Sequence, residues 1–591
     1  MPAINFGSIA TVGDKTIASG MASGMNSKDI INGLVDAKKI GLKKIEDKIN
    51  VNDKKINAFN QMRKSLSKVY DAVNKLRNVP SVDKSDNAFS ARKTTVSNIN
   101  ANANEVFVKV SAANDAEISS YDITIDELAK AKIQTSNSFA SLTSSVVNAS
   151  GTGTANFFEA GILKINGVDV HFTQGQNLND IKSAINAASK DTNVKASVLK
   201  VGTGDYRLIL QSTLTGIANA YTLTDTGTVI NNITLTNTQL PLDAQITLNT
   251  IPISRPINTM SDVIERVTFD LVKKTGVGES VNVEIEPNSQ KAYDTIIEFI
   301  TAFNDFKIFI AKQTERISDP EKGSKFAPNA ALGRDDLVSF INDSLLNEIT
   351  GMAYGLTNSA LNNLGELGIK LLDYDDPDST YDSDLNTNTI LGLDEDVLNM
   401  QLVNNFDEVR KIFEYDFVAS SSALRILSRK NNIQTNAFSL VIDTSQANPE
   451  DQVKATYNPG TGPVTISMNY TGTATSGKIE GAEGTVLDGI SIYYYGSGVL
   501  NADISFSQGI ADRIYNFLEE VLTEEGMLDL RVESVIDSSR MNNQEIEKKN
   551  REIKEYRNRL IEKYAKMEKT IDEFNTVLMM IDAQNDAQNK R

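Results

Sequence analysis

The sequence predicts an α+β multidomain chain, with coiled-coil-like helical N- and C-terminal segments, a central helical domain and inserted β-rich modules. Three observations carry this reading. Apolar residues recur every seven positions near each end of the chain. Short alternating runs rich in Val, Ile and Thr fill the region after the first helix. Thickly apolar helix faces return from Gln290 onward.

Taken in order, Met1 to Met25 is rich in Gly, Ala and Ser with little apolar periodicity, and reads as flexible or as ordered on assembly. Asn26 is placed to cap a helix by accepting from the backbone N–H near Asp29, whose charge also suits the first turn. Leu42, Ile49 and Ile56 then repeat every seven residues. Ile45, Phe59, Leu66 and Val73 form a second seam with Asn52 as a polar member. Val79-Pro80 ends this helix, because the residue before proline is driven out of the α region.

Alternating runs follow at Thr94–Val110, Tyr121–Asp126, Ile162–Phe172, Val194–Gln211 and Ile246–Ile253. Asn166-Gly167 between two apolar runs is the strongest local hairpin signal. One short helix, about Leu178 to Ser189, interrupts these strands. Ile296, Ile297, Phe299, Ile300, Phe303, Phe306 and Ile310 then line a helix face. Shorter helices are expected at Leu332–Ile349, Asp394–Met400 and Asp407–Phe413, a second β stretch at Phe438–Phe506, and a helix from Ser507 to about Thr523.

The last segment is the most periodic. Ile546, Ile553, Leu560, Met567, Phe574 and Ile581 fall seven apart, and Asn550, Arg557, Tyr564, Ile571 and Leu578 fill a second seam that is apolar only in its later half. Neither terminal helix can bury its stripe alone. The expected organisation is a nest: an N-terminal flexible or helical leg at 1–45, a helix of the central domain at 46–85, a β-rich module at 86–140, an inserted β-rich module with one short helix at 141–240, a return to the first module at 241–288, the central helical domain at 289–430, a second β-rich stretch at 431–506, a further central helix at 507–540, and a C-terminal coiled-coil leg at 541–591.

Composition removes most chemistry. The 591 residues include no Cys, no Trp and one His, His171. Disulfides, thiolate metal sites, Cys nucleophiles and multi-His sites are thereby excluded, and no cofactor is expected. A net charge of −18 repels phosphate, so nucleic acid is not an expected partner. No apolar run is long enough to insert in a membrane, and Met1 to Gly24 lacks the pattern of a cleaved secretory signal.

Fragments that could carry chemistry have plainer readings. Gly151-Thr152-Gly153 and Gly202-Thr203-Gly204 lack the context of a phosphate cradle and read as turns. Asp373, Asp375, Asp376, Asp378, Asp382 and Asp384 lack the glycine and closing glutamate of a calcium loop and read as a solvated acidic loop. His171 falls in a strand with no nucleophile elbow beside it. In Tyr493-Tyr494-Tyr495, strand alternation puts the outer two rings on one face and the middle ring on the other. The chain is expected not to be an enzyme.

Ordered motifs nevertheless carry a likeness. Ser23-Gly24-Met25-Asn26 precedes Ile30-Ile31-Asn32-Gly33-Leu34-Val35. Tyr121 to Ala129 reads Tyr-x-Ile-x-Ile-x-x-Leu-Ala. Leu178-Asn179-Asp180-Ile181 with Ile185-Asn186 is followed by Arg207–Ser212 and Thr215-Gly216. Asn258 to Leu271, Phe303-Asn304, Leu364 to Lys370 with Leu393-Asp394, Val409 to Phe413, Gly509-Ile510-Ala511 and Arg559-Leu560 to Glu568 complete the series. In this order they resemble the flagellar filament capping family, flagellar hook-associated protein 2. Asn26 stands where that family usually has Asp, and Tyr564 where it usually has Phe.

The resemblance implies a structural cap at the distal end of a bacterial flagellar filament, promoting insertion of exported flagellin. It implies export by the flagellar type III route with a chaperone, a homo-oligomeric ring, commonly a pentamer, and in some members adhesion to host surfaces. On it, Leu42, Ile45, Ile49, Ile56, Phe59, Ile546, Ile553, Leu560, Tyr564, Met567, Ile571, Phe574, Leu578 and Ile581 are candidates for contact with sister copies or flagellin. The alternatives are another exported filament or junction protein, or a surface adhesin.

Overall fold

The computed structural model describes residues 8–12, 15–19, 23, 25–78, 86–225, 227–320, 323–356, 361–372, 389–431 and 433–589. The chain forms two compact units, one of residues 1–80 with 294–591 and one of residues 81–293. The acidic cluster from Asp373 to Asp384 lies outside the described residues.

The unit of residues 81–293 contains two β bodies. In the first, a five-stranded antiparallel sheet runs in the order Ile251–Arg255, Ala244–Leu248, Ser119–Glu127, Ser280–Pro287, Arg92–Ile99. A three-stranded sheet of Thr259–Ile264, Val267–Leu271 and Val108–Ala112 faces it. Alternate residues point inward, so Ile123, Ile125, Ile246, Val281 and Val283 meet Val108, Met260, Val267 and Phe269 in one core.

The second body is inserted between Glu127 and Ala244. Its four-stranded sheet runs Val194–Gly202, Asp205–Ser212, Ile133–Ser136, Leu235–Gln239, and a three-stranded sheet runs Val168–Phe172, Gly161–Ile165, Leu223–Asp225. Helix Leu178–Ala187 packs Leu178, Ile181 and Ile185 into the shared core. Its N-terminus is closed by a reciprocal capping box between Asn177 and Asp180. The Asn166-Gly167 turn forms as the sequence predicts: both residues have positive φ, 49° and 82°, and Ile165 pairs with Val168. This insertion begins at Ile133, inside the segment read as 86–140. His171 is an exposed strand residue opposite Ile162.

The other unit is helical with one large sheet. The first helix spans Ser27–Leu76 without interruption, so no break separates its early and later parts near residue 45. Asn26 accepts from the Asp29 N–H at 3.3 Å, as expected for the cap. Phe59, Met62, Leu66, Val69, Val73 and Leu76 are fully buried along its later half. Helix Ser289–Thr314 buries Ile296, Phe299, Phe303, Phe306 and Ile310, and ion pairs Lys68–Asp305 (3.2 Å) and Lys75–Glu298 (2.6 Å) tie it to the first helix. Helices Asp336–Thr350 and Ile510–Leu522 join the bundle, and the last helix runs Met527–Asn589.

An eight-stranded antiparallel sheet belongs to this same unit. It reaches back to Tyr415–Ala419 and Leu424–Ser428, into the segment read as central helical domain, and these two form its opposite edges. The link between them bonds to both flanks: the Ser420 N–H donates to Asp503, and Ala423 accepts from Tyr495. The sheet therefore curls around one core of Leu440, Ile442, Ile479, Ile492, Tyr494 and Ile504. Tyr494 is fully buried while Tyr493 and Tyr495 face outward, the alternation expected of that run.

The Gly- and Ser-rich start holds one element the composition hid. Ser8–Val12 and Lys15–Ser19 pair as an antiparallel hairpin. Two five-residue runs alternating around Gly13-Asp14 are too short to stand out against their small neighbours.

Candidate assembly interface of the terminal helices

The first and last helices run antiparallel as a pair. Markers along it fix the direction. Arg63 pairs with Asp529, Asn52 donates to Ser538 at 3.2 Å, Lys38 sits 5.4 Å above the Tyr556 ring, and Ser23 donates to Glu568. As one number rises the other falls, with helix rise of about 1.5 Å per residue on both sides.

On the first helix the buried seam follows Ile31, Val35, Leu42, Ile45 and Phe59, with Ile49 and Ile56 half-buried between. On the last helix Ile546, Ile553, Leu560, Tyr564, Met567 and Ile571 are half-buried. Ile31, Val35 and Ile561 form a distinct apolar cluster, with Ile553, Tyr556, Leu560 and Tyr564 packed on it. Ile31, Val35 and Ile561 extend the set read from the heptads. Ile31 and Val35 continue the same spacing toward the N-terminus, and Ile561 sits beside the seam as an extra apolar position that widens it.

The second seam of the last helix keeps Tyr564 and Ile571 but departs from the heptad count in its first half. Asn550 and Arg557 are exposed. The inward positions beside Ile553 are Lys549 and Tyr556, one step to the other side, because a straight 3.6-residue helix drifts against a seven-residue repeat. Asn52 and Lys549 are half-buried polar residues of the seam, Asn52 bonded to Ser538, while exposed Lys38 reaches over the Tyr556 ring from the rim. Such a pair is held by a largely half-buried apolar seam and by register-setting polar contacts.

At the far end, Glu568 is buried and accepts from both the hydroxyl and the backbone N–H of Ser23. Ser23 of the opening motif and Glu568 of the closing motif thus meet in space. The last helix runs on past this point. There Phe574, Leu578 and Ile581 are 66%, 54% and 47% exposed. They share one face at four- and three-residue spacing, flanked by exposed Val577, Met579 and Met580.

At the near end the first helix is anchored by a buried charge cluster. Asp512 is fully buried. It accepts from Arg429 Nε at 3.0 Å, from Arg429 Nη2, and from Gln508 Nε2 at 2.9 Å, with Arg77 Nη1 at 3.7 Å. The Arg429 guanidinium lies 3.9 Å over the Tyr415 ring and Arg77 lies 3.2 Å over Tyr515. Burial pulls the Arg77 guanidinium below its ordinary pKa, with Tyr515 and Asp512 opposing, and pushes the Tyr415 phenol up. This cluster joins the C-terminal end of the first helix, the sheet and helix Ile510–Leu522. Nothing in the local sequence pattern marks Arg429 and Asp512 as partners.

Among the described residues no group of His, Asp or Glu is arranged to hold a metal ion, and no helix is long and apolar enough to cross a membrane. What the geometry offers is a long helical contact surface.

Comparison with known families settles the class. Residues 242–576 match the model of the flagellar hook-associated protein 2 C-terminus, residues 23–132 that of its N-terminus, and residues 147–213 the flagellin hook IN motif. The chain belongs to the flagellar hook-associated protein 2 family. The B-type flagellar hook-associated protein 2 of Pseudomonas aeruginosa is 25% identical over 312 residues, 48% of this chain and 64% of that protein. The flagellar hook-associated protein 2 of Escherichia coli K12 is 25% identical over 362 residues, 59% of this chain and 72% of that one. The crystal structure of the flagellar cap protein FliD D1-D2-D3 domains from Escherichia coli has 18% identity and a TM-score of 0.46, over 81% of this chain and 99% of that chain.

Proposed function

We propose that this chain is the structural cap at the distal end of a bacterial flagellar filament, where it assembles with copies of itself and promotes insertion of exported flagellin. Membership of the hook-associated protein 2 family supports this reading. The observation that carries the mechanism is the thin antiparallel pair of terminal helices, whose last helix continues past its partner with Phe574, Leu578 and Ile581 open. A contact that must release each time a subunit is added needs small differences between its states. A seam carrying Asn52 and Lys549 suits that, and the open stripe is the surface offered to flagellin or to a sister copy. Export by the flagellar type III route with a chaperone, a ring of about five copies as the resemblance implies, and adhesion to host surfaces are further parts of this proposal.

The test has two arms. Deleting the gene in its own host is expected to release unpolymerised flagellin into the medium, and the full chain is expected to restore filaments while a chain ending at Glu568 is not. Normal filaments in the deletion strain would refute the cap role. By light scattering, the purified full chain should stop at a discrete closed oligomer; growth without limit would mark it as a filament subunit instead.

A further inference from the structure

Three asparagines from the sequence motifs make the same unusual contact. Asn186 accepts from the Ala196 N–H at 2.8 Å and donates to the Ala196 carbonyl at 2.9 Å. Asn258 does the same to Ala129, at 2.7 and 3.1 Å. Asn304 does so to Leu391, at 2.8 and 2.9 Å. A carboxamide offers one acceptor and one donor side by side, the same pattern a neighbouring strand presents. Each of these side chains therefore occupies the place of one residue of an added strand.

Asn186 is the member of this set that guards an outer edge. Strand Val194–Gly202 is the outermost of its four-stranded sheet and pairs on one side with Asp205–Ser212. The N–H and C=O of Val194, Ala196, Val198 and Lys200 alternate toward the open side. The Val194 N–H donates to Thr192 Oγ1 at 3.3 Å and Ala196 is held by Asn186. Beyond them the register shifts between Lys200 and Gly202. On this stretch Leu199 and Val201 are 52% and 55% exposed. An open strand with apolar neighbours is a template for pairing with another chain.

We infer that Asn186 is an edge stop, which keeps the inserted β body from adding the matching strand of a second copy to its sheet. The occupant excluded is the same strand, because any two copies present identical edges to each other. The helix carrying Asn186 holds the carboxamide in place, with Leu178, Ile181 and Ile185 seated in the core on the adjoining face.

The test uses the full-length chain. Asn186→Leu should raise hydrogen exchange at the Ala196 amide by about tenfold or more. It should also produce species heavier than the wild-type oligomer by light scattering, rising with protein concentration. Adding Val198→Pro, which removes the next outward donor, should return the mass to that of the wild type. Asn186→Ala removes both the acceptor and the donor without added bulk; it should deprotect Ala196 in the same direction and serves if the leucine variant fails to fold. A folded variant with fast Ala196 exchange and wild-type mass at every concentration would overturn the inference. So would unchanged Ala196 exchange in both variants.

Discussion

Removing the Asp512 carboxylate should destabilise the helical unit strongly. In Asp512→Ala the Arg429 guanidinium, whose side chain is only 3% exposed, loses both of its bonds to the carboxylate, and Arg77, 12% exposed, loses its counter-charge 3.7 Å away. Arg429 is then left buried beside a like charge, Arg77, without its carboxylate. Breaking a buried ion pair from one side costs about 3–5 kcal/mol, because the remaining charge is left desolvated and unpaired. The lost Gln508 bond is part of the same loss. By contrast, the double variant Arg429→Met, Asp512→Leu removes both charges and fills similar volume, and should cost roughly 1–2 kcal/mol. The assay is urea unfolding followed by circular dichroism at the helix band, reading the transition of the unit that contains the first helix. Two compact units make a single overall transition an unsafe assumption, so transitions are compared one by one. A loss below about 1 kcal/mol for Asp512→Ala, or a double variant worse than the single, would refute the claim that the cluster is a coupled buried network.

Three other outcomes are expected. Burial pushes Lys307 down to about 8, although Asp343 opposes the shift; its ammonium donates to Asn342 at 2.6 Å. Between about pH 8 and the ordinary lysine range the unfolded chain holds more protons than the folded one, so stability should rise across that window, by roughly 2–3 kcal/mol, and stay level below it; Lys307→Met should flatten the rise, measured as the pH slope of the urea midpoint. Gly216 has φ of +98°, and a Cβ there would lie 2.8 Å from the Pro256 carbonyl oxygen, so Gly216→Ala should destabilise the 81–293 unit by about 1–3 kcal/mol in thermal melts. Asn52→Leu replaces a polar seam residue and its Ser538 bond by an apolar one, and should strengthen the helix pair by about 1 kcal/mol; slower filament growth would accompany it if the pair must exchange, and an unchanged rate would count against exchange.

The sequence by itself determined the local elements and the class. A seven-residue apolar repeat makes a helix that needs a partner, Asn-Gly between β-branched runs makes a type I′ hairpin, and an asparagine before an acidic first turn caps a helix; each depends on residues within a few positions of each other. The absence of Cys and the single His excluded most site chemistry before any fold was known. Tertiary structure decided which parts meet. The antiparallel register that sets Ser23 on Glu568 and Asn52 on Ser538, the turning of Asn550 and Arg557 to solvent, and the Arg429–Asp512 cluster join residues 83 to 545 positions apart. The sheet that starts at Tyr415 was equally hidden, because its edge strands are five residues long and the first follows directly on a helix. Periodicity fixes which face of an element is apolar, whereas the partner of that face depends on packing and charge compensation across the whole unit, where no local spacing leaves a mark.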